Sequence, residues 1–296
     1  MTDSFSTFHP VINFSYFTAV LLFSMFFIHP IFLGIALICS FTYSIMLKGK
    51  SALKFNLIYM LPLLVFMAII NPAFNHEGVT IIFYLKNGNP ITLESILYGV
   101  MSAGMFISVI LWFSCYNVVM TSDKFIYIFG KIIPALSLIF SMVLRFVPRY
   151  KQQIKIISNG QKCIGRDISQ GNIIKRAKNG IKILSIMTTW ALENAIETAD
   201  SMKSRGYGLT KRSSFSIFHF DDRDKITLTV LSILIIYIFI GMVMGQNTMR
   251  FFPSMKIKNI TFFSITIYIS YFILCILPVI INIAEVIKWK HIRSRI

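Results

Sequence analysis

Long apolar runs alternate with short polar, mostly basic segments along this chain. Residues 14–28 and 30–47 are apolar and are separated by His29 and Pro30. A proline at that junction suits a tight turn or kink between short spans. Further runs cover residues 55–71, 95–120, about 226–245 and 260–285. A helix needs about 20 apolar residues to cross roughly 30 Å of hydrocarbon, so the pattern predicts six crossings. The runs lack the alternation of a membrane barrel. The expected fold class is an all-α polytopic membrane protein, with about six transmembrane helices and a module of long helices outside the bilayer.

Charge orients the pattern. Lys48, Lys50 and Lys54 cluster after the second run, and basic residues near membrane ends mark the cytoplasmic side. Residues 72–94 carry a single lysine and are expected on the outer side. Within them "VTIIFYL" reads as a strand and "NGNP" as a turn, which predicts a short hairpin. The run Phe125 to Leu144 is interrupted by Lys131 and Pro134. If it crossed, residues 145–182, with ten Lys or Arg and the single acid Asp167, would be exported. That violates the positive-inside tendency, so 125–144 is expected to lie at the inner interface. The predicted organisation is residues 1–124 as a membrane domain of four spans, 125–225 as an interfacial helix and cytoplasmic helices, and 226–296 as two spans and a basic tail. Arg250, Lys256 and Lys258 in the last outer loop oppose this orientation weakly. Both termini are then cytoplasmic.

The cytoplasmic segment predicts two helices. One runs from about Arg149 to Cys163, with Tyr150, Ile154 and Ile157 on one stripe, and stops near Gly165. The other runs from about Asn172 to Arg205, roughly 50 Å at 1.5 Å per residue. Small and apolar residues recur along it every seven positions: Ile174, Ile181, Thr188, Ala195 and Met202 in one row, Ala177, Leu184, Ala191 and Thr198 in the other. Ala191, Ala195 and Ala199 add a spacing of four that permits close helix approach. Together with Met202 they form the expected packing seam. Gly206 ends the helix and Gly208 loosens the chain beyond it. Arg205 sits at the negative end of the helix dipole. A favourable C-terminal cation explains it as well as a bidentate grip on a partner's carboxylate does.

Composition narrows the chemistry. The chain has 296 residues, is 55% hydrophobic and 14% charged, and has a formal net charge of +17. Without a soluble nucleic-acid module, that charge reads as orientation and attraction to anionic lipid. Cys39, Cys115, Cys163 and Cys275 form no CxxC pair, and their simplest reading is buried reduced thiols. The first run reads as an anchor rather than a cleaved signal. There is no Walker A loop: "GKS" at Gly49 to Ser51 has Ser44 where the earlier glycine is needed. The five histidines, His9, His29, His76, His219 and His291, are isolated and lack metal-ligand spacing. Acids within the spans are nearly absent, and Glu94 and Glu285 are expected at span ends within reach of water.

These features meet in one family. The chain resembles the transmembrane T component (EcfT, CbiQ family) of energy-coupling-factor transporters, a branch of the ABC transporters. The resemblance runs over nearly the whole chain. It rests on "FHPVINFSYF" (Phe8 to Phe17), "NPAFNHEGVTIIFYLKNGNPITLESILYG" (Asn71 to Gly99), "TSDKFIYIFGKIIPALSLIFSMVLRFVPRY" (Thr121 to Tyr150) and, most specifically, "ADSMKSRGYG" (Ala199 to Gly208). The resemblance implies a subunit of the prokaryotic plasma membrane that joins two cytoplasmic ATPases to a small substrate-binding S component for vitamin or other micronutrient uptake. It implies no catalysis and no cofactor on this chain, with ATP and magnesium bound by the ATPases. It implies Ala-Arg-Gly-like triplets at the tips of two coupling helices. Ser204, Arg205 and Gly206 match the second triplet. The first falls at Cys163, Ile164 and Gly165, where Ile164 replaces the expected arginine and Arg166 follows the glycine. The two ATPase contacts are therefore expected to be unequal.

A self-sufficient permease is the main alternative, and it needs ionisable groups facing a cavity at membrane depth. A membrane-embedded enzyme needs clustered acids, histidines or cysteines. A scaffold without transport fits the helices equally well.

Overall fold

The computed structural model describes residues 3–84, 88–130, 133–207, 218–247, 249–255 and 260–294. Lys131, Gly208, Lys256, Lys258 and Leu85 to Asn87, the last of which belongs to the expected NGNP turn, lie outside the described residues. The chain divides into two units, Met1–Phe125 with Phe218–Ile296, and Ile126–Ile217.

Helices in the first unit stand where the apolar runs predict them. Helix α1 is Pro10–Phe26 and α2 is Pro30–Lys48. Each begins with a His-Pro pair. The Nδ1 atoms of His9 and His29 accept the backbone N–H two residues on, at 3.3 and 3.4 Å. Proline at the first helical position removes a donor that has no helical partner anyway. Thus the "HP" pairs are helix caps. Gly49 (φ 61°) turns the chain into α3, Lys50–Phe55. A π-helical stretch, Asn56–Met60, joins α3 to α4, Leu61–Phe74.

A hairpin comes next, with β1 (Ile81–Tyr84) antiparallel to β2 (Pro90–Thr92). It leads into α5, Leu93–Val119. Helix α6 is Ser122–Gly130 and spans the division between the units. Helices α7 (Pro134–Cys163) and α8 (Ile173–Ser204) belong to the second unit, while α9 (Asp222–Val243) and α10 (Phe262–Arg293) return to the first. Among the described residues, five stretches are long and apolar enough to cross a membrane: Pro30–Lys48, Lys50–Phe74, Leu93–Val119, Asp222–Val243 and Phe262–Arg293. Helix α1, with 17 residues, is the sixth and shorter apolar helix.

Helix α5 is the hub of the first unit. A Cβ on Gly99 would stand 2.8 Å from the Ala68 carbonyl, and one on Gly104 would stand 2.7 Å from Leu33. The missing side chains let α4 and α2 approach it closely. Trp112 of α5 is fully buried, with the rings of Tyr16, Phe17 and Tyr43 within 6.5 Å. Tyr16 donates to the Cys275 carbonyl at 3.0 Å, which satisfies its buried hydroxyl.

Two polar clusters fasten the first unit, and the one at Glu94 departs from the expectation of water at that span end. Glu94 is 3% exposed rather than hydrated. Its carboxylate accepts the Thr80 hydroxyl at 2.8 Å and the Thr80 backbone N–H. Gly78 leaves room for it, since a Cβ there would stand 2.6 Å from Glu94 Oε2. The hairpin therefore folds back onto the start of α5. At the other cluster, Asn282 of α10 accepts the backbone N–H groups of Ser4 and Phe5 and donates to Asp3. Tyr43 also donates to Asp3, at 3.2 Å. Lys124 of α6 donates to the Ser6 and Val119 carbonyls, and the Asn13 amide oxygen fits 2.9 Å from its Nζ. The amino-terminal segment is thereby tied to α2, α5, α6 and α10.

The run 125–144, read as interrupted by Lys131 and Pro134, is divided between two helices rather than forming one interfacial helix. Helix α6 stops at Gly130 and α7 starts at Pro134. The corner is close: a Cβ on Gly130 would stand 2.7 Å from Ser137 Oγ, and that hydroxyl donates to the Ile126 carbonyl at 3.4 Å. Helix α7 then continues through Pro148 to Cys163. The helix expected from Arg149 therefore begins fifteen residues earlier. An internal proline removes one backbone hydrogen bond without ending the helix in this setting.

Candidate functional site

Helices α7 and α8 form an antiparallel hairpin. Tyr150 meets Trp190 edge to face at 5.6 Å, and the Arg149 guanidinium lies 5.5 Å from the Trp190 ring centre. At the turn, the Asn179 side chain donates to the Asp167 carbonyl at 3.0 Å and Arg176 Nε to the Ile168 carbonyl at 2.8 Å. As numbers rise on α8 they fall on α7, so the carboxyl ends of the two helices point to opposite ends of the hairpin. From Asn179 to Ser204 the rise is about 40 Å, which separates the two tips.

Both tips have the same backbone. Helix α7 ends at Cys163, with Ile164 as its cap residue at φ −97°, ψ 21°. Gly165 comes next at φ 76°, in the left-handed region open to glycine. The Gly165 N–H bonds the Lys162 carbonyl at 3.0 Å and the Arg166 N–H the Gln161 carbonyl at 2.9 Å. Helix α8 ends at Ser204, with Arg205 as its cap at φ −85°, ψ 9°, and Gly206 at φ 77°. Gly206 bonds Lys203 at 2.9 Å and Tyr207 bonds Met202 at 3.0 Å. This paired hydrogen bonding is the Schellman arrangement. Residue by residue, Ile164 corresponds to Arg205 and Arg166 to Tyr207. The α7 tip thus has an isoleucine where the α8 tip has a guanidinium. The cap alone is no functional mark, because α9 closes in the same way at Gly245 (φ 69°), with bonds to Met242 and Gly241.

Surroundings differentiate the tips. Cys163, Ile164, Gly165 and Arg166 are exposed, and Ile164 is 61% so. Cys163 thus departs from the buried thiol expected of it, because it closes a solvent-facing helix end, while Cys39, Cys115 and Cys275 are buried. Lys162 pairs with Asp167 at 3.5 Å. The Ser169 N–H, 2.9 Å from Asp167 Oδ1, together with that lysine, holds the Asp167 carboxyl below its usual range. At the other tip, the Ser204 hydroxyl turns back to the Ser201 carbonyl at 2.9 Å. Arg205 borders a groove of about 610 Å³, with Arg145 and Arg149 of α7 opposite and Glu197 and Met202 of α8 beside it. In the sequence, Arg145 and Arg149 stand out only as orientation charges. Their spacing of four in "RFVPR" is the signal that they share a helix face.

The small-residue seam is placed differently from its expectation. Ala191 and Met202 are half-buried, whereas Ala195 and Ala199 are exposed. The most buried positions of α8 are Ile183 and Met187, and the half-buried stripe continues through Trp190, Asn194 and Thr198. Much of the predicted seam, including Ile174, Ile181 and Leu184, lies on an exposed second apolar face with Leu192 and Ile196. On α7, Tyr150 and Ile157 are half-buried and Ile154 is exposed. Among the described residues, no group of three His, Cys, Asp or Glu is arranged to hold a metal ion.

Comparison with known proteins gives the family of the chain. The family described as "CbiQ: Cobalt transport protein" matches residues 4–217. The match includes both helix tips and stops before α9 and α10, short of the near-complete resemblance read from the sequence. Among curated relatives, the energy-coupling factor transporter transmembrane protein EcfT of Lactobacillus helveticus is 34% identical over 109 residues, 36% of this chain and 39% of that protein. The protein of the same name from Staphylococcus aureus is 37% identical over 106 residues, 36% of this chain and 40% of its own length. That from Brevibacillus brevis is 35% identical over 113 residues, 37% and 43% respectively. These alignments span about two fifths of each relative. With residues 4–217 matched and five stretches able to cross a bilayer, the chain is a multi-pass membrane protein that belongs to the CbiQ cobalt transport protein family.

Proposed function

We propose that this chain is the energy-coupling transmembrane subunit of an ECF-type importer, linking two cytoplasmic ATPases to a small membrane S component. The observation that carries the reading is the family match over residues 4–217, which takes in a helical hairpin with an exposed tip at each end, one of them bearing Arg205. A rigid rod with a contact at each end converts the approach or separation of two bound subunits into its own displacement. The relatives' printed name, energy-coupling factor transporter transmembrane protein, supports the same role.

In this mechanism Arg205 pairs with carboxylates of one ATPase. Ile164 makes the corresponding contact on the other by apolar packing, with Arg166 on the far side of the glycine. The exposed apolar face of α8, through Ile181, Leu184, Leu192 and Ile196, receives the S component. ATP and magnesium belong to the ATPases, and this chain performs no catalysis. Ten basic residues against one acid in residues 145–182 support a cytoplasmic hairpin, with both termini on that side of a prokaryotic plasma membrane. The S component selects the solute, a vitamin or another micronutrient.

Isolation of the tagged full chain from its native membrane tests the reading. Two ATPase subunits and one small membrane protein are expected with it. Solute uptake by the purified chain alone would instead establish a self-sufficient permease.

A further inference from the structure

The groove beside the α8 tip holds more charge than a single-arginine contact requires. Arg145, Arg149 and Arg205 border it, against the single acid Glu197. No hydrogen bond or ion pair among the described residues engages any of the three guanidinium groups; Arg149 has only the face of Trp190, 5.5 Å away. That stacking orients the guanidinium while leaving its N–H edge to bond other groups. Positions 145 and 149 of α7 lie one turn apart on one face, and positions 194 to 205 of α8 supply the opposite wall along about 17 Å. The floor is apolar, with Met142, Phe146 and Met202.

We propose that Arg145, Arg149 and Arg205 form one basic groove that receives an acidic segment of the partner ATPase, so that α7 shares the contact assigned to the α8 tip. This rests on the coupling role of Arg205 given above and extends it to residues on the other helix. Three neighbouring cations in the free chain repel one another, and a partner bearing two or more carboxylates relieves that repulsion through bidentate hydrogen bonds. An apolar floor with a charged rim is the anatomy of a protein interface. The length of the groove suits two to three helical turns or a short extended segment rather than one phosphate group.

The test uses the full chain with its S component in neutral phosphatidylcholine nanodiscs, titrated with the partner ATPase at several salt concentrations. Arg145→Gln is the primary variant, since Arg145 is exposed and makes no hydrogen bond or ion pair among the described residues. It is expected to weaken ATPase binding about tenfold, as Arg205→Gln does, and to flatten the salt dependence. Arg149→Lys, which keeps the charge over Trp190, is expected to lose less than Arg149→Gln. If Arg205→Gln weakens binding while Arg145→Gln and Arg149→Gln bind as the parent does, the shared groove is wrong and the role of Arg205 survives. If all three bind as the parent does, both fail. If Arg145→Gln keeps ATPase affinity but loses binding to anionic phosphatidylglycerol nanodiscs, the groove serves lipid and the proposal is overturned.

Discussion

Individual residues divide into those that shape the tips and those that fasten the membrane unit. Gly165 and Gly206 hold backbone conformations that a β-carbon disfavours. No atom lies within 4 Å of a Cβ placed on Gly165, so Gly165→Ala tests backbone cost alone. It should destabilise that helix end by about 1 kcal/mol without a steric clash. Lys124 works by fastening. It is 7% exposed and is held by the carbonyls of Ser6 and Val119. Lys124→Met leaves those acceptors without their donor and should cost about 1–3 kcal/mol. A fall of several degrees in the thermal midpoint in detergent is the expected readout. An unchanged midpoint would remove Lys124 from the fastening role. Arg205 and its glycine were legible in the sequence because helix end, cation and glycine are adjacent there. Lys124 was not, because Ser6 and Asn13 are more than a hundred positions away and nothing local marks the pairing.

Among the elements, the α7–α8 hairpin carries the proposed coupling. Its existence and the end of α8 were legible from periodicity, whereas its packed face was not. A seven-residue rhythm marks a 3.5-residue repeat, but a straight helix turns every 3.6 residues. Helix α8 has two apolar faces, and the more regular one is exposed. The start of α7 lies at Pro134 rather than Arg149 because one helix joins the end of the apolar run 125–144 to the basic segment and runs through Pro148. Asp167 gives the turn a pH dependence. Its carboxyl is held below 3.8 mainly by the Ser169 N–H. The stabilisation it supplies is therefore fully present above pH 3.8 and is lost as pH falls through the lower, folded value. A nitroxide on Cys163, the one exposed cysteine, should report a looser turn below that pH. Asp167→Asn should abolish the pH response, and an identical response in that variant would exclude Asp167 as its source.

For the whole molecule, the apolar helices were legible because bilayer thickness sets a length that the sequence must match. The cluster that ties Asp3 to Asn282 and Tyr43 was not, because its members come from opposite ends of the chain and look like ordinary loop and helix residues alone. The central claim is that energy enters through the α8 tip. Arg205→Glu in the proposed complex, reconstituted with two ATPases and an S component, tests it most directly, because the proposed pair of Arg205 with an ATPase carboxylate would become a like-charge clash costing several kcal/mol. The account predicts that the variant retains its S component, loses ATPase association and loses ATP-driven uptake. Full uptake with normal ATPase binding would contradict it.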